Sequence, residues 1–400
     1  MTEKVVVVGI GADGWDGLTS VARHAISACD VLLGSCRQLD LVPAGDHERV
    51  PWPSPLLPAL AGLFEGYADR KLCVLASGDP MFHGIGVSLA KLLGPQRLHV
   101  IPQPSSASLA CARLAWPLAE TPVVSLVNRQ VETLLPALMD DARLLVLSNN
   151  GQTPAEVAHL LSANGYGRSV LRVLEQLGGP SERQLDAVAV EWAHHRVDAL
   201  NIIAIECIAD PTAIRLTRGP GLPDHVYGGD GQLTKSEMRA LSVAALAPAP
   251  GELLWDVGGG SGSIAIEWSR SHPRCRAIAF ERKADRSEQI LANARALGVP
   301  TVRVLGAAPA ALGEAETPNA IFVGGGLTDS GLLDECWSRL PAGGRLVANS
   351  VTAESDSVLL DWAGRHGGSL RRFQIYRAEP LGRFTSWRPH LPVTQWCVSK

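Results

Sequence analysis

Residues 253–268, LLWDVGGGSGSIAIEW, join an apolar strand pattern to a helical one through a turn of small residues. A turn without side chains lets a ligand lie against bare backbone. Two spacings can be read in it. The dinucleotide fingerprint, Gly-x-Gly-x-x-Gly/Ala, counted from Gly258, reaches Ser263 at its last position, a partial fit. The second spacing is Asp256-x-Gly258-x-Gly260-x-Gly262, an acid followed by glycines at strict alternation. It suits S-adenosylmethionine, which has no phosphate to seat on a helix N-terminus. Backbone groups of Gly258, Gly259, Gly260, Ser261 and Gly262 would then wrap its amino-acid end and ribose. Glu281 lies 23 residues after Gly258 and ends the run AIAFE. A carboxylate there can accept both ribose hydroxyls. A glutamate at a strand end is also often no more than a solvated charge, so the weight rests on loop and acid together.

A second glycine pattern lies near the N-terminus. VVVVGIGADG matches Gly-x-Gly-x-x-Gly at Gly9, Gly11 and Gly14 directly after a strand pattern, which would serve an NAD(P)-dependent oxidoreductase. Two features oppose that reading. Trp15, Asp16 and Gly17 fall where a helix of small, closely packed residues should run. Asp30, the nearest suitable acid, precedes the strand VLLG rather than ending it. Elsewhere, Lys235 and Arg239 stand four apart on a predicted helix and so share a face. No Ser-His-Asp or Cys-His arrangement is visible.

The elements that must position these residues come in two alternating blocks. In the first, strand-like runs recur at 4–9, 71–77, 97–101, 122–127, 143–148, 169–175 and 201–207, with helical patterns between most of them. That alternation predicts α/β layers with largely parallel sheets. Residues 210–232 are rich in Gly, Pro and Asp and read as a linker and lead-in loop. The pattern then restarts: strands at 252–257, 276–281, 301–305, 320–324, 345–351, 371–377 and 394–399, with helices at 234–247, 262–271, 285–297, 329–339 and 353–366. The last two strands have no helix between them and should pair antiparallel at one sheet edge. The glycine loop at 258–262 therefore follows the first strand of a second domain. The expected organisation is a domain over 1–209, the linker over 210–232 and a seven-stranded, Rossmann-like domain over 233–400.

Composition narrows the function classes. A 400-residue chain with 46% apolar and 19% charged residues can bury two cores. A net charge of −4 without dense basic runs disfavours nucleic acid as partner. The N-terminal apolar run is too short for a signal peptide or a membrane span, and a cytoplasmic setting is expected. The eight cysteines form no CxxC pair and no zinc spacing, which predicts reduced thiols and no metal site. Six of the 36 basic residues are lysines and the rest arginines, a bias suited to gripping carboxylates.

Three segments, GIGADGWDGLT at 9–19, ASGDPMFHGIG at 76–86 and PQPSSAS at 102–108, resemble the tetrapyrrole methylases. That resemblance implies a two-lobed α/β domain holding S-adenosylmethionine between its lobes, with contacts at Gly78, Asp79, Phe82, Ser105 and Ser106. LEQLGGPSERQ, 174–184, is similar to the subgroup acting at carbon 5 of precorrins. Relatives in that subgroup carry His-Gly-Arg where this chain has SLVNR, 125–129, so only Arg129 remains as a candidate substrate contact. Residues 221–246 with the glycine loop resemble class I methyltransferases acting at carbon 15 of precorrins. There the resemblance implies cofactor contacts at Thr234, Gly258 to Gly262, Glu281 and Ala308. Lys235 and Arg239 are expected to touch substrate or cofactor carboxylates. Read together, the two halves imply one S-adenosylmethionine per domain, methylation at carbons 5 and 15, and loss of the ring-C acetate carboxyl in cobalamin biosynthesis. A cobalt-containing precorrin substrate with one active domain is the near alternative. The resemblance also implies a homo-oligomer, and nothing in the sequence identifies the proton donor for decarboxylation.

Overall fold

The structure, a computed structural model, describes residues 4–194 and 196–400. The chain passes from one compact unit to the next between Ile214 and Arg215. The boundary falls inside the segment expected to be a linker, and the rest of that segment folds onto the second unit.

The first unit has two five-stranded sheets. One contains β1 (Val5–Ile10), β2 (Val31–Gly34), β3 (Glu48–Pro51), β4 (Leu72–Ser77) and β5 (Leu98–Ile101), all parallel in the order β3-β2-β4-β1-β5. The continuous valine run of β1 is explained by burial on both faces. Val5 and Val7 enter one apolar layer, and Val8 and Ile10 enter the other.

The other sheet contains β6 (Val123–Ser125), β7 (Arg143–Leu147), β8 (Val170–Glu175), β9 (Arg183–Val188) and β10 (Asn201–Glu206), in the order β6-β7-β10-β8-β9. Only β6 and β7 run parallel, which corrects the expectation of largely parallel sheets. Between β8 and β9 lies only the short stretch 176–182, too little for a crossover helix, so the two strands turn back on each other.

The second unit follows its pattern closely. Its sheet takes β11 (Leu253–Val257), β12 (Arg276–Phe280), β13 (Arg303–Leu305), β14 (Ala320–Val323), β15 (Arg345–Ser350), β16 (Ser369–Phe373) and β19 (Val393–Ser399) in the order β13-β12-β11-β14-β15-β19-β16. The first five are parallel, and β19 is antiparallel to both β15 and β16. The helices that follow β11 and β14 pack in opposite apolar layers, which opens a crevice at the strands' C-terminal ends. A separate hairpin, β17 (Tyr376–Leu381) and β18 (Phe384–Pro389), interrupts the predicted strand 371–377. Most of its residues are exposed, so it carries none of the apolar alternation by which strands are recognised.

Candidate active sites

In the second unit the loop after β11 is shaped by backbone conformation. Gly258, Gly260 and Gly262 all take positive φ, at 77°, 57° and 76°. A Cβ on Gly258 would stand 2.9 Å from the Gly325 nitrogen, so the β11 and β14 loops meet backbone to backbone. The Gly258 and Gly259 amides both donate to the Phe280 carbonyl at 3.1 Å, which fixes the loop to the end of β12. Asp256 is buried below, its Oδ2 accepting from the Ala265 amide at 3.0 Å. Burial pushes its carboxyl up to about 7, against the pull of that amide and with the help of the Glu281 charge.

Glu281 stands just past β12, 7% exposed. Its two oxygens accept from the Gly260 and Lys283 amides, each at 3.0 Å. Each oxygen keeps capacity for a further donor. The Ser261 hydroxyl is buried in the same loop without a hydrogen-bond partner. An unpaired buried hydroxyl is costly, and a polar ligand atom would relieve it. These groups open into a cavity of about 800 Å³, which Thr234, Lys235 and Ala308 also line. A cradle that a Cβ would fill, a buried carboxylate with free lone pairs and an orphaned hydroxyl fit an adenosine-bearing cofactor.

In the first unit the candidate residues gather where β1, β4 and β5 end. Gly78 takes φ 57°; its amide donates to the Ile10 carbonyl at 3.1 Å, and its carbonyl accepts from the Gln103 amide at 3.3 Å. Gly9 has a different duty from the one its motif suggests. A Cβ there would lie 2.0 Å from the Gly78 oxygen and 2.8 Å from the Gln103 nitrogen, so glycine is required for three segments to meet. Behind it, Gly14–Gly17 makes a single helical turn, and the next helix starts at Ser20 under a Thr19 cap. No long helix N-terminus therefore stands behind the glycines to receive a pyrophosphate.

Asp79 is held by its own turn, Oδ1 accepting from the Met81 amide at 2.8 Å. Ser105 caps the helix Ser106–Leu114, accepting from the Ser108 amide at 3.1 Å, and Ser106 is exposed on its first turn. Phe82 packs against the apolar cluster around Ala107, Leu145 and Leu174 and meets the His83 ring edge-on at 4.9 Å. Desolvation lowers the His83 proton affinity, and the positive charge of Arg129 adds to the effect. Arg129 itself is exposed.

Known proteins match this architecture. The model of the Tetrapyrrole (Corrin/Porphyrin) Methylases matches residues 4–191, and that of the Precorrin methyltransferase domain matches 225–400. Over 400 residues the chain is 49% identical to a precorrin-6Y C(5,15)-methyltransferase [decarboxylating] of Mycobacterium tuberculosis, covering 99% of this chain and 100% of the relative. The chain belongs to the precorrin-6Y C(5,15)-methyltransferase family. A second relative of that name, from Sinorhizobium sp, is 43% identical over 398 residues, covering 99% of this chain and 96% of its own. The crystal structure of the C-terminal domain of precorrin-6Y C5,15-methyltransferase from Rhodobacter capsulatus is 47% identical, covers 46% of this chain and all of that one, and superposes with a TM-score of 0.44.

One expected substrate contact of this methyltransferase is overturned by the structure. Arg239 does not face the cavity: its side chain is fully buried. Its Nε donates to Glu267 at 2.7 Å and its Nη1 to Asp224 at 2.9 Å, Nη1 also reaches the Thr234 carbonyl and Nη2 the Leu222 carbonyl, and the guanidinium lies over the Tyr227 ring. Glu267, equally buried, also accepts from the Gly221 and Leu222 amides and the Tyr227 hydroxyl. The pair clasps the lead-in segment to the helix Ser263–Ser271, and its complete burial keeps the guanidinium from a ligand. Lys235, the other member of the predicted face, does line the cavity, half-exposed and 4.0 Å from Asp224.

The sequence reading missed the cavity's other wall. Phe373, Ile375, His390, Leu391 and Val393 come from the segments flanking the hairpin. They follow no motif, because only the pairing of β16 with β19 carries them to the cavity. The role of Glu267 had a faint signal, a lone carboxylate inside the apolar helix pattern SIAIEW.

Proposed function

We propose that this methyltransferase works at two sites with one S-adenosylmethionine each. The second domain methylates carbon 15 of the precorrin and removes the ring-C acetate carboxyl, and the first methylates carbon 5. The observation that carries the reading is the second-domain cradle: the positive-φ Gly258 and Gly260, the half-satisfied Glu281 carboxylate and Ser261 line one cavity, while Gly262 turns toward Ile290 instead. The two matched family models support the division of labour, a tetrapyrrole methylase over the first part and a precorrin methyltransferase domain over the second.

The bound cofactor supplies an electrophilic methyl group, and conjugated nitrogens already make the ring carbons of a reduced tetrapyrrole nucleophilic. The protein therefore needs no strong base; it must orient the reactants at about 3–3.5 Å and exclude water. Glu281 would take the ribose hydroxyls and the glycine loop the amino-acid end. Phe373, Ile375 and Leu391 supply an apolar wall against the macrocycle, and Lys235 stands ready for a peripheral carboxylate. In the first domain Gly78 and Gln103 shape the floor, while Asp79 and Ser105 hold the two loops in place.

The test uses the full chain with a precorrin-6 substrate and S-adenosylmethionine. Two methyl additions and loss of carbon dioxide are expected from the wild type, and neither the carbon-15 methyl nor carbon dioxide from Gly260→Asp. Carbon dioxide release undiminished in Gly260→Asp would refute the assignment to the second domain.

A further inference from the structure

The C-terminal ends of β2 and β4, neighbours in the parallel sheet, bring Arg37 beside Ser77. Ser77 immediately precedes the Gly78–Asp79 loop, so this pair shares a sheet edge with the first-domain candidate site. The Ser77 hydroxyl accepts from Arg37 Nη2 and from Gln38 Nε2, each at 3.1 Å. Gln38 is itself fixed, its Oε1 accepting from the Ser35 amide at 2.8 Å. The serine is thereby locked in place and steadies one guanidinium nitrogen.

Arg37 combines a fixed position with open donors. Several arginines of this unit are spent: Arg70 on Glu48, Arg113 on Glu182, Arg172 on Glu206, Arg183 on Glu175, and Arg49 on three backbone carbonyls. Arg37 is half-buried and has only a serine hydroxyl as hydrogen-bond partner among the described residues. Desolvation lowers its proton affinity, partly countered by the more distant charge of Asp198. Asp198 Oδ1 accepts from the Leu200 amide at 2.7 Å. A guanidinium has five N–H donors in a planar fork, and one partly withdrawn from water with most donors unused suits a bidentate carboxylate. At the C-terminal edge of a parallel sheet, where ligands of such folds bind, that carboxylate belongs to the ligand.

We propose that Arg37, steadied by Ser77, grips a peripheral acetate or propionate carboxylate of the tetrapyrrole in the first domain. The inference rests on the carbon-5 assignment made above. The full chain carries its own control, because carbon-15 methylation can be followed on the same molecules. Arg37→Ala is expected to raise KM for carbon-5 methylation about tenfold to a hundredfold, the worth of a charge-assisted pair, with kcat nearly unchanged. Arg37→Lys should recover part of the loss and Arg37→Gln none. Calorimetric titration with S-adenosylhomocysteine should show unaltered affinity at both sites. Should Arg37→Ala fail to fold, the Lys and Gln variants carry the same measurement. An unchanged KM overturns the proposal, as does loss of S-adenosylhomocysteine affinity at one site, which would make Arg37 a holder of the cofactor carboxylate. Absence of carbon-5 methylation in the wild type overturns the domain assignment as well, so the two failures are distinguishable.

Discussion

The two candidate sites differ in what their backbone and side chains are used for. In the second domain the loop after β11 leaves polar capacity open: Glu281 keeps lone pairs, and the Ser261 hydroxyl has no partner. In the first domain Asp79 Oδ1 caps its own turn and Ser105 caps a helix, while Asp79 Oδ2 has no hydrogen-bond partner among the described residues and Ser106 is exposed. Glycine also serves two ends. At Gly258 it supplies a positive φ and lets two loops touch, whereas at Gly9 it removes the Cβ that would collide with the Gly78 carbonyl. A glycine motif thus reports close backbone approach, and only its surroundings say whether a ligand or the protein itself is approaching.

The contrast can be broken at several points. Gly258→Ala should have the largest effect, since its Cβ would press on Gly325 in a strained backbone. Carbon-15 methylation and carbon dioxide release should disappear, as read from product mass, while one S-adenosylhomocysteine site persists in calorimetry. Arg239→Met should cost the second domain about 3–5 kcal/mol by leaving the Glu267 carboxylate buried and unpaired. Denaturant unfolding of the full chain should then show an early transition confined to that domain; a single unshifted transition would remove the clasp from the account.

Asp256 gives a pH signature. Its folded value of about 7 lies above the ordinary 3.8, so between those limits the native chain holds a proton that the unfolded chain has released. Its contribution therefore favours the folded state below about pH 4, declines as pH rises to about 7 and is level above. Asp256→Asn, which keeps an acceptor for the Ala265 amide, should gain on the wild type across that window, by a few kcal/mol at most (~1.4 per unit). Parallel stability–pH curves for the two proteins would contradict the buried acid. Glu281→Gln should weaken S-adenosylhomocysteine at one of two sites by about tenfold to a hundredfold in calorimetry. The smallest change is expected from Asp79→Ala, about 0.5–1.5 kcal/mol of local loop stability, seen as faster amide exchange around Met81 with both methylations retained.

Much of the second domain was legible because its signals are local. The restart of strand and helix patterns after residue 232, the alternating glycines and the acid ending β12 depend on neighbours in sequence, and the sheet appears as expected with β19 against β16. The hairpin was not legible, because with few buried residues it has no apolar periodicity. Nor was the antiparallel character of the β8–β9–β10 arrangement, where short strands look alike whichever way their partners run. Lys235 and Arg239 show the limit most plainly. Their spacing put both on one helix face, yet one lines the cavity and the other is sealed against Glu267.

By itself the sequence determined the two-part organisation, the glycine turn that follows β11 and the acid beside it, because backbone sterics and hydrophobic periodicity act over a few residues. Tertiary structure alone decided which charges are spent on the fold and which remain for a ligand. Arg239 found Glu267, and Arg37 found the Ser77 hydroxyl, through contacts between segments distant in the chain. A side chain's partner depends on what the folded backbone brings within hydrogen-bond reach, and no local pattern records that.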